Sequence, residues 1–162
     1  MKLVIGNDHA GVEFKEKLVK ALEERGHKVI NVEFKNKIMQ ALRSKGYEII
    51  NVGTDTLDSV DYPDIAVLVG EKVLDGEAKF GILICGTGIG ISIAANKIKG
   101  IRAALVHNEF TAKLARLHND ANVIALGARV IGDELGLACV ETFINTEFEG
   151  GRHARRVSKI EK

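Results

Sequence analysis

Residues 80–95 read FGILICGTGIGISIAA: an apolar run through Ile82, Leu83 and Ile84, then Cys85, then glycine at every second position, then helix-forming residues. An apolar run that enters glycines and leaves as a helical pattern spells a buried strand, a tight loop and a helix start, with the thiol at the turn. Backbone N–H groups at such a turn, together with the positive end of a helix, favour a thiolate and can hold a developing oxyanion beside it. Cys85 is therefore a candidate base or nucleophile acting on a small anionic molecule. A small hydrophobe closing a core strand is the competing reading.

Outward from this stretch, short apolar runs alternate with amphipathic segments. Strands are expected at 2–5, 28–32, 48–52, 80–84, 102–106 and 122–126, and helices at 12–25, 33–45, 62–74, 90–98, 109–118 and 133–143. This alternation, with short connections, predicts an α/β fold in which helices cover both faces of a parallel sheet of about five strands, a Rossmann-like three-layer sandwich. Ligands of such sheets bind outside the carboxyl ends of the strands. Chemistry is therefore expected in the loops 6–11, 53–61, 86–90, 107–108 and 127–129.

The chain has 162 residues, of which 46% are hydrophobic and 28% charged, enough for one domain (1–162) with a real core. Neither a long apolar segment nor a charged-apolar-small leader is apparent, so neither a membrane span nor secretion is expected. Cys85 and Cys139 lie in different elements, which suggests reduced thiols in a cytoplasm over a disulfide framework. A net charge of +1 gives no global attraction to nucleic acid. The glycine loop is G-x-G-x-G and not the G-x-G-x-x-G of dinucleotide folds, no Gly-Lys-Ser/Thr follows to make a P-loop, and Cys139 lies too far along the chain to suggest a resolving thiol.

A tandem repeat stands out. Residues 13–32 (EFKEKLVKALEERGHKVINV) run without a spacer into residues 33–52 (EFKNKIMQALRSKGYEIINV), with about half the positions identical. Each copy is one helix plus one strand, and two copies are too few for a solenoid. One unbroken helix through both is not expected, because twenty residues rotate the apolar stripe by roughly 200°. Val32 also meets Glu33 without a strand-to-helix loop. The expectation is a core with one helix and one strand, taking the helix of the first copy and the strand of the second. About twenty residues would then leave at the helix's C-terminal end, away from the catalytic loops.

Several segments, in order, closely resemble the ribose-5-phosphate isomerase B family. They are Gly6-Asn7-Asp8-His9-Ala10-Gly11, Asp61-Tyr62-Pro63-Asp64, CGTGIGISIAANK from Cys85, GIRAAL from Gly100, His118-Asn119-Asp120-Ala121-Asn122-Val123, and Glu149-Gly150-Gly151-Arg152-His153 on to Arg156. The resemblance covers the chain except one copy of the repeat. The cysteine loop and the His118-Asn119-Asp120 run are closer to the ribose enzymes than to the related galactose-6-phosphate isomerase subunits. Asn7 stands where the family often has cysteine or serine.

The resemblance implies an aldose–ketose isomerase that interconverts ribose 5-phosphate and ribulose 5-phosphate through a cis-enediolate, without metal or cofactor. It assigns Cys85 as the base, with N–H groups around Gly86, Gly88 and Gly90 holding the enediolate oxygen and Thr87 moving protons between the two oxygens. His118 would open the furanose ring and Asp8 would accept a sugar hydroxyl, forming one site with Cys85. Asn119 and Tyr62 would line the substrate. His9, Arg152 and Arg156 would hold the phosphate, the two arginines sharing a helix face at four-residue spacing. A homodimer with shared sites is implied, a tetramer being the alternative. Taken singly, Thr87 and His118 could be helix caps, Tyr62 a helix start and the basic tail a solvated helix. A non-catalytic sugar-phosphate binder, or an isomerase of allose 6-phosphate, remains open.

Overall fold

The computed structural model describes residues 1–8, 34–55 and 60–161. Its elements are β1 (Lys2–Asn7), α1 (Phe34–Ser44), β2 (Glu48–Asn51), α2 (Tyr62–Leu74), β3 (Phe80–Cys85), α3 (Ile89–Ala95), β4 (Ala103–Leu105), α4 (Glu109–Asn119), β5 (Val123–Gly127), α5 (Asp133–Ile144) and α6 (Arg152–Ile160). The strands form one five-stranded sheet in the order β2-β1-β3-β5-β4, and every pairing is parallel.

Period-two alternation along the strands sorts side chains into two cores. Ile5, Ile82, Ile84, Ile124 and Leu126 face one side, where they pack with Ile38 and Leu42 of α1, Ala115 of α4, and Val140 and Phe143 of α5. Val4, Leu83, Cys85, Val123 and Ala125 face the other, against Ile65 and Val69 of α2 and Ile91 and Ala95 of α3. The expected three layers are therefore present. No described helix is long and apolar enough to cross a membrane.

The structure corrects the expectation for the repeat. The helix of the second copy is seated in the core: Ile38 and Leu42 of α1 are fully or almost fully buried, each burial stabilising by about 1.5–3 kcal/mol. Lys37 and Lys45 add ion pairs to Asp133 and Glu141 of α5. After α1 the chain turns through Gly46, whose φ of +84° suits glycine, and enters β2, the strand that was expected to join the sheet. Helix and strand thus come from the same copy, because a short turn links them directly. The first copy, including the helix and strand expected at 12–25 and 28–32, lies outside the described residues.

The strand order changes direction between β1 and β3. From β1 the chain moves outward to β2 and then returns to the other side of β1 as β3. At such a switch point the loops after the two strands diverge and leave a crevice at their carboxyl ends. Asp8 follows β1 and Cys85 ends β3.

Candidate active site

Backbone pairing sets Asp8 and Cys85 beside each other. The Asp8 N–H donates to the Ile84 carbonyl at 3.1 Å, continuing the β1–β3 ladder past the last paired residues. Both residues are 5% exposed. Asn7 adds a local tie, its Nδ2 donating to the Asp8 carbonyl at 3.0 Å.

Beyond Cys85 the chain turns sharply. Gly88 has φ +78° and caps α3, and its N–H donates to Cys85 Sγ at 3.1 Å. This N–H donor aims directly at the sulfur. The loop is tied to the end of β5 as well: Ala128 N–H donates to the Cys85 carbonyl at 2.9 Å and Arg129 N–H to that of Gly86 at 3.0 Å. Thr87 is exposed on the loop, and its Oγ1 accepts from the Ile89 N–H at 3.3 Å. It makes a local turn contact; the cap position is held by Gly88.

Tyr62 opens α2 with Pro63 in the helix's first turn, where the missing N–H costs nothing. Its ring lies over the glycine loop so closely that a Cβ on Gly90 would sit 2.8 Å from its Cζ. Asp8, Tyr62, Cys85, Gly86, Thr87, Gly88 and Gly90 therefore gather at the carboxyl edge of the sheet. His9, expected among them, lies outside the described residues.

His118 does not join this group within one chain. A helix that leaves the carboxyl end of β4 and returns to the start of β5 must end at the opposite edge of the sheet. His118 and Asn119 are the last two residues of α4. The six residues of β3 separate the edges by roughly 16 Å at about 3.3 Å per residue.

Arginines fix that helix end. Asp120 adopts a left-handed conformation, φ +44°, and closes α4. Arg116 Nη1 donates to Asp120 Oδ1 at 2.7 Å and Arg102 Nη2 to Oδ2 at 3.2 Å. Arg116 also donates to the carbonyls of Ala121 and Thr146 and lies over the Phe80 ring, which joins α4 to the end of α5.

From there residues 145–151 lead into α6 and deliver a second cluster to His118. The His118 and His153 rings stack in parallel, with centroids 4.2 Å apart and planes 3° from each other. Glu149 Oε2 lies 3.7 Å from His118 Nε2 and 3.9 Å from His153 Nε2. Burial, and then the neighbouring His118, hold the His153 pKa below the usual histidine value. Arg152 and Arg156 are exposed on α6, four residues apart on one face as expected. Glu149 and His153 stand in the sequence within the Glu-Gly-Gly-Arg-His run, but only the fold sets them against His118.

The ligand atoms of His118, Glu149 and His153 lie within 4.8 Å of one another. Parallel rings point their in-plane lone pairs side by side, whereas a metal needs them to converge at about 2.0–2.1 Å. This arrangement does not fit a metal ion.

Lys35 was not anticipated. Although 2% exposed, it donates from Nζ to the Thr54 carbonyl at 2.8 Å and pairs with Asp55, holding the loop after β2. Thr54 N–H in turn donates to the Asn7 carbonyl at 3.3 Å, so this clamp ends beside Asp8. Its signal in the sequence is the recurrence of lysine at this position of both repeat copies, Lys15 and Lys35.

Three comparisons with known proteins bear on the site. A family model described as ribose/galactose isomerase matches residues 31–160, a span that takes in the whole second repeat copy and only the last two residues of the first. The chain is 42% identical over 159 residues to ribose-5-phosphate isomerase B of Escherichia coli, covering 98% of this chain and 93% of that protein. Among solved structures, ribose-5-phosphate isomerase B of Clostridium thermocellum superposes with a TM-score of 0.85 at 47% identity, covering 99% of this chain and 95% of that one. A ribose 5-phosphate isomerase of Thermotoga maritima gives a TM-score of 0.84 at 45% identity, covering 99% and 97%.

Proposed function

Because the chain belongs to the ribose/galactose isomerase family, we propose that it interconverts ribose 5-phosphate and ribulose 5-phosphate at a site which two protomers build together. The observation that carries this is the position of Cys85 beside Asp8 at the strand switch point, with the Gly88 N–H on its sulfur.

The Cys85 thiolate removes the proton from C2 of the open-chain aldose. The C2–H electron pair becomes the C1–C2 double bond of a cis-enediolate, and the carbonyl π pair moves onto O1. Thr87 carries the proton from O2 to O1, and Cys85 returns the first proton to C1, leaving the carbonyl at C2. Asp8 accepts a hydrogen bond from a sugar hydroxyl, and Tyr62 covers the glycine loop. The Gly88 N–H serves the sulfur; the enediolate oxygen is left to the neighbouring loop amides. Preorganised donors of this type are worth about 3–4 kcal/mol in acyl-transfer enzymes.

Ring opening and phosphate binding come from the other edge of a second protomer. There the His118 imidazole has both a donor and an acceptor nitrogen for moving the ring-opening proton, and Arg152 and Arg156 offer planar forks to phosphate oxygens. The separation of the two clusters within one chain supports a shared site, because neither has all the groups that the reaction needs. The first repeat copy is an addition to a family core that the second copy completes. The packing of α1 on the sheet and the pairing of β2 within it support this.

Direct measurement of ketopentose phosphate formed from ribose 5-phosphate tests the function, with allose 6-phosphate run in parallel. Turnover of ribose 5-phosphate that disappears in Cys85→Ala, while the variant still binds inorganic phosphate, is the expected result. Near-normal turnover in that variant would remove the cysteine base; turnover of allose 6-phosphate alone would reassign the substrate.

A further inference from the structure

The basic tail contains one residue that does not behave as a surface cation. His153, in the first turn of α6, is 4% exposed, whereas Arg152, Arg155 and Arg156 around it are exposed. Its backbone N–H donates to the Gly150 carbonyl at 3.0 Å, and two glycines of positive φ, Gly150 and Gly151, turn the chain so that the side chain enters the protein. Two contacts are made there. The ring face lies flat against His118, and its Nε2 accepts from Arg152 Nε at 3.4 Å.

In accepting from the guanidinium, Nε2 uses its lone pair, the role of a neutral imidazole with its hydrogen on Nδ1. Burial is the main cause that holds it there, and of the charges around it only Glu149 favours the charged form. Arg152 and Arg156 oppose a further positive charge, as does His118 across the stack, while Glu149 is the acidic group that faces both rings. Glu149 is held in turn by its N–H, which donates to the Leu117 carbonyl at the end of α4.

We propose that His153 is a positioning residue that couples the phosphate grip to the ring-opening group: its Nε2 orients Arg152 while its ring face fixes the plane of His118. A furanose phosphate presents its anion and its ring oxygen at a set separation, so the groups that meet them must hold a set separation too. Near-attack geometry is sensitive to displacements of about 1 Å. One buried ring touching both groups provides that constraint.

This inference rests on the proposed roles of Arg152 and His118, so its test includes two arms that need no turnover. His153→Phe keeps the ring face and loses the acceptor; His153→Gln keeps an acceptor and loses the face. Each variant is checked for folding by circular dichroism. Each is then measured for inorganic phosphate affinity by calorimetry, for the ring-current shift of the His118 proton resonances by NMR, and for kcat and KM on ribose 5-phosphate.

His153→Phe is expected to weaken phosphate binding about tenfold and raise KM correspondingly, in keeping with the loss of one hydrogen bond that orients a charged group. It keeps the His118 shift, with kcat within twofold. His153→Gln is expected to do the reverse: phosphate affinity within twofold, a lost ring-current shift and a kcat lowered about tenfold. Variants that move all readouts together, or leave all unchanged, would overturn the coupling. A wild-type protein without turnover would remove the proposed function, while the phosphate and NMR arms would still decide whether His153 holds its two neighbours.

Discussion

Gly88→Ala probes the turn that places an N–H on the candidate base. The alanine must adopt φ +78°, a left-handed conformation that costs an L-residue about 1–2 kcal/mol. Its Cβ would also lie 2.5 Å from Leu105 Cδ1, 3.0 Å from the Leu126 carbonyl carbon and 3.2 Å from Gly127 N. The leucine can rotate away, but the β5 backbone is fixed in the sheet, so overpacking adds about 1–3 kcal/mol. Together these give about 2–5 kcal/mol, or a Tm lower by roughly 5–20 °C for a chain of this size.

Gly46→Ala provides the comparison. Its φ is +84°, yet nothing lies within 4 Å of an added Cβ, so only the conformational cost of about 1–2 kcal/mol applies. Gly46 lies at the other edge of the sheet from Cys85, and turnover should persist. Thermal melting by circular dichroism and turnover well below both midpoints separate the two variants. Gly88→Ala should melt below Gly46→Ala and lose at least tenfold in kcat, because moving the loop withdraws the N–H from sulfur. Coincident melting curves with kcat within twofold of wild type would refute the account of this turn.

Burial pushes the Cys139 thiol up to about 11, with the charge of Glu109 adding to the effect; iodoacetamide at pH 8 should therefore label Cys85 and spare Cys139, and peptide mapping showing equal labelling would contradict it. A hydrogen bond from Lys37 holds the Asp133 carboxyl below its ordinary pKa, so its contribution is present above the unfolded value of about 3.9 and is lost as pH falls through the lower folded value. Asp133→Asn should flatten that acid limb of Tm against pH by less than about 1 kcal/mol, since the pair is partly exposed, and an unchanged limb would count against it. Deletion of residues 13–32 leaves residues 8–12 and 33 between β1 and α1, a six-residue connection within the usual βα range of about 2–6. The shortened chain should fold and retain isomerisation; an unfolded product would show that the first copy is required.

Much of this was legible from particular residues. The apolar run into Cys85 and the glycines placed β3, the loop and α3 to within a few residues, because hydrophobic period and glycine spacing are local signals. The choice of repeat copy was not legible. Phe14, Lys17 and Leu18 match Phe34, Lys37 and Ile38, and Arg25 matches Lys45, so the sequences of both copies carry a similar apolar stripe and similar charges. What separates them is the uninterrupted turn from α1 through Gly46 into β2. The position of His118 was implicit in the alternation, since a helix between parallel strands ends at the edge opposite to the one it leaves. Its grouping with Cys85 follows the chemistry, and that geometry requires a second protomer to supply it. The flat stack of His118 on His153 depends on a loop between α5 and α6 for which neither periodicity nor spacing gives a signal.

The central claim is that the cysteine edge of one protomer works with the arginine edge of another. Cys85→Ala subunits and Arg152→Ala/Arg156→Ala subunits, carrying different tags, are to be co-refolded in equal amounts and the heterodimers verified by native mass spectrometry. Half of randomly mixed dimers are mixed, and one of their two sites then has both halves intact, so roughly one quarter of the wild-type kcat/KM should return. Verified heterodimers with no more activity than the two inactive parents would place both halves of the site within a single protomer and contradict the account.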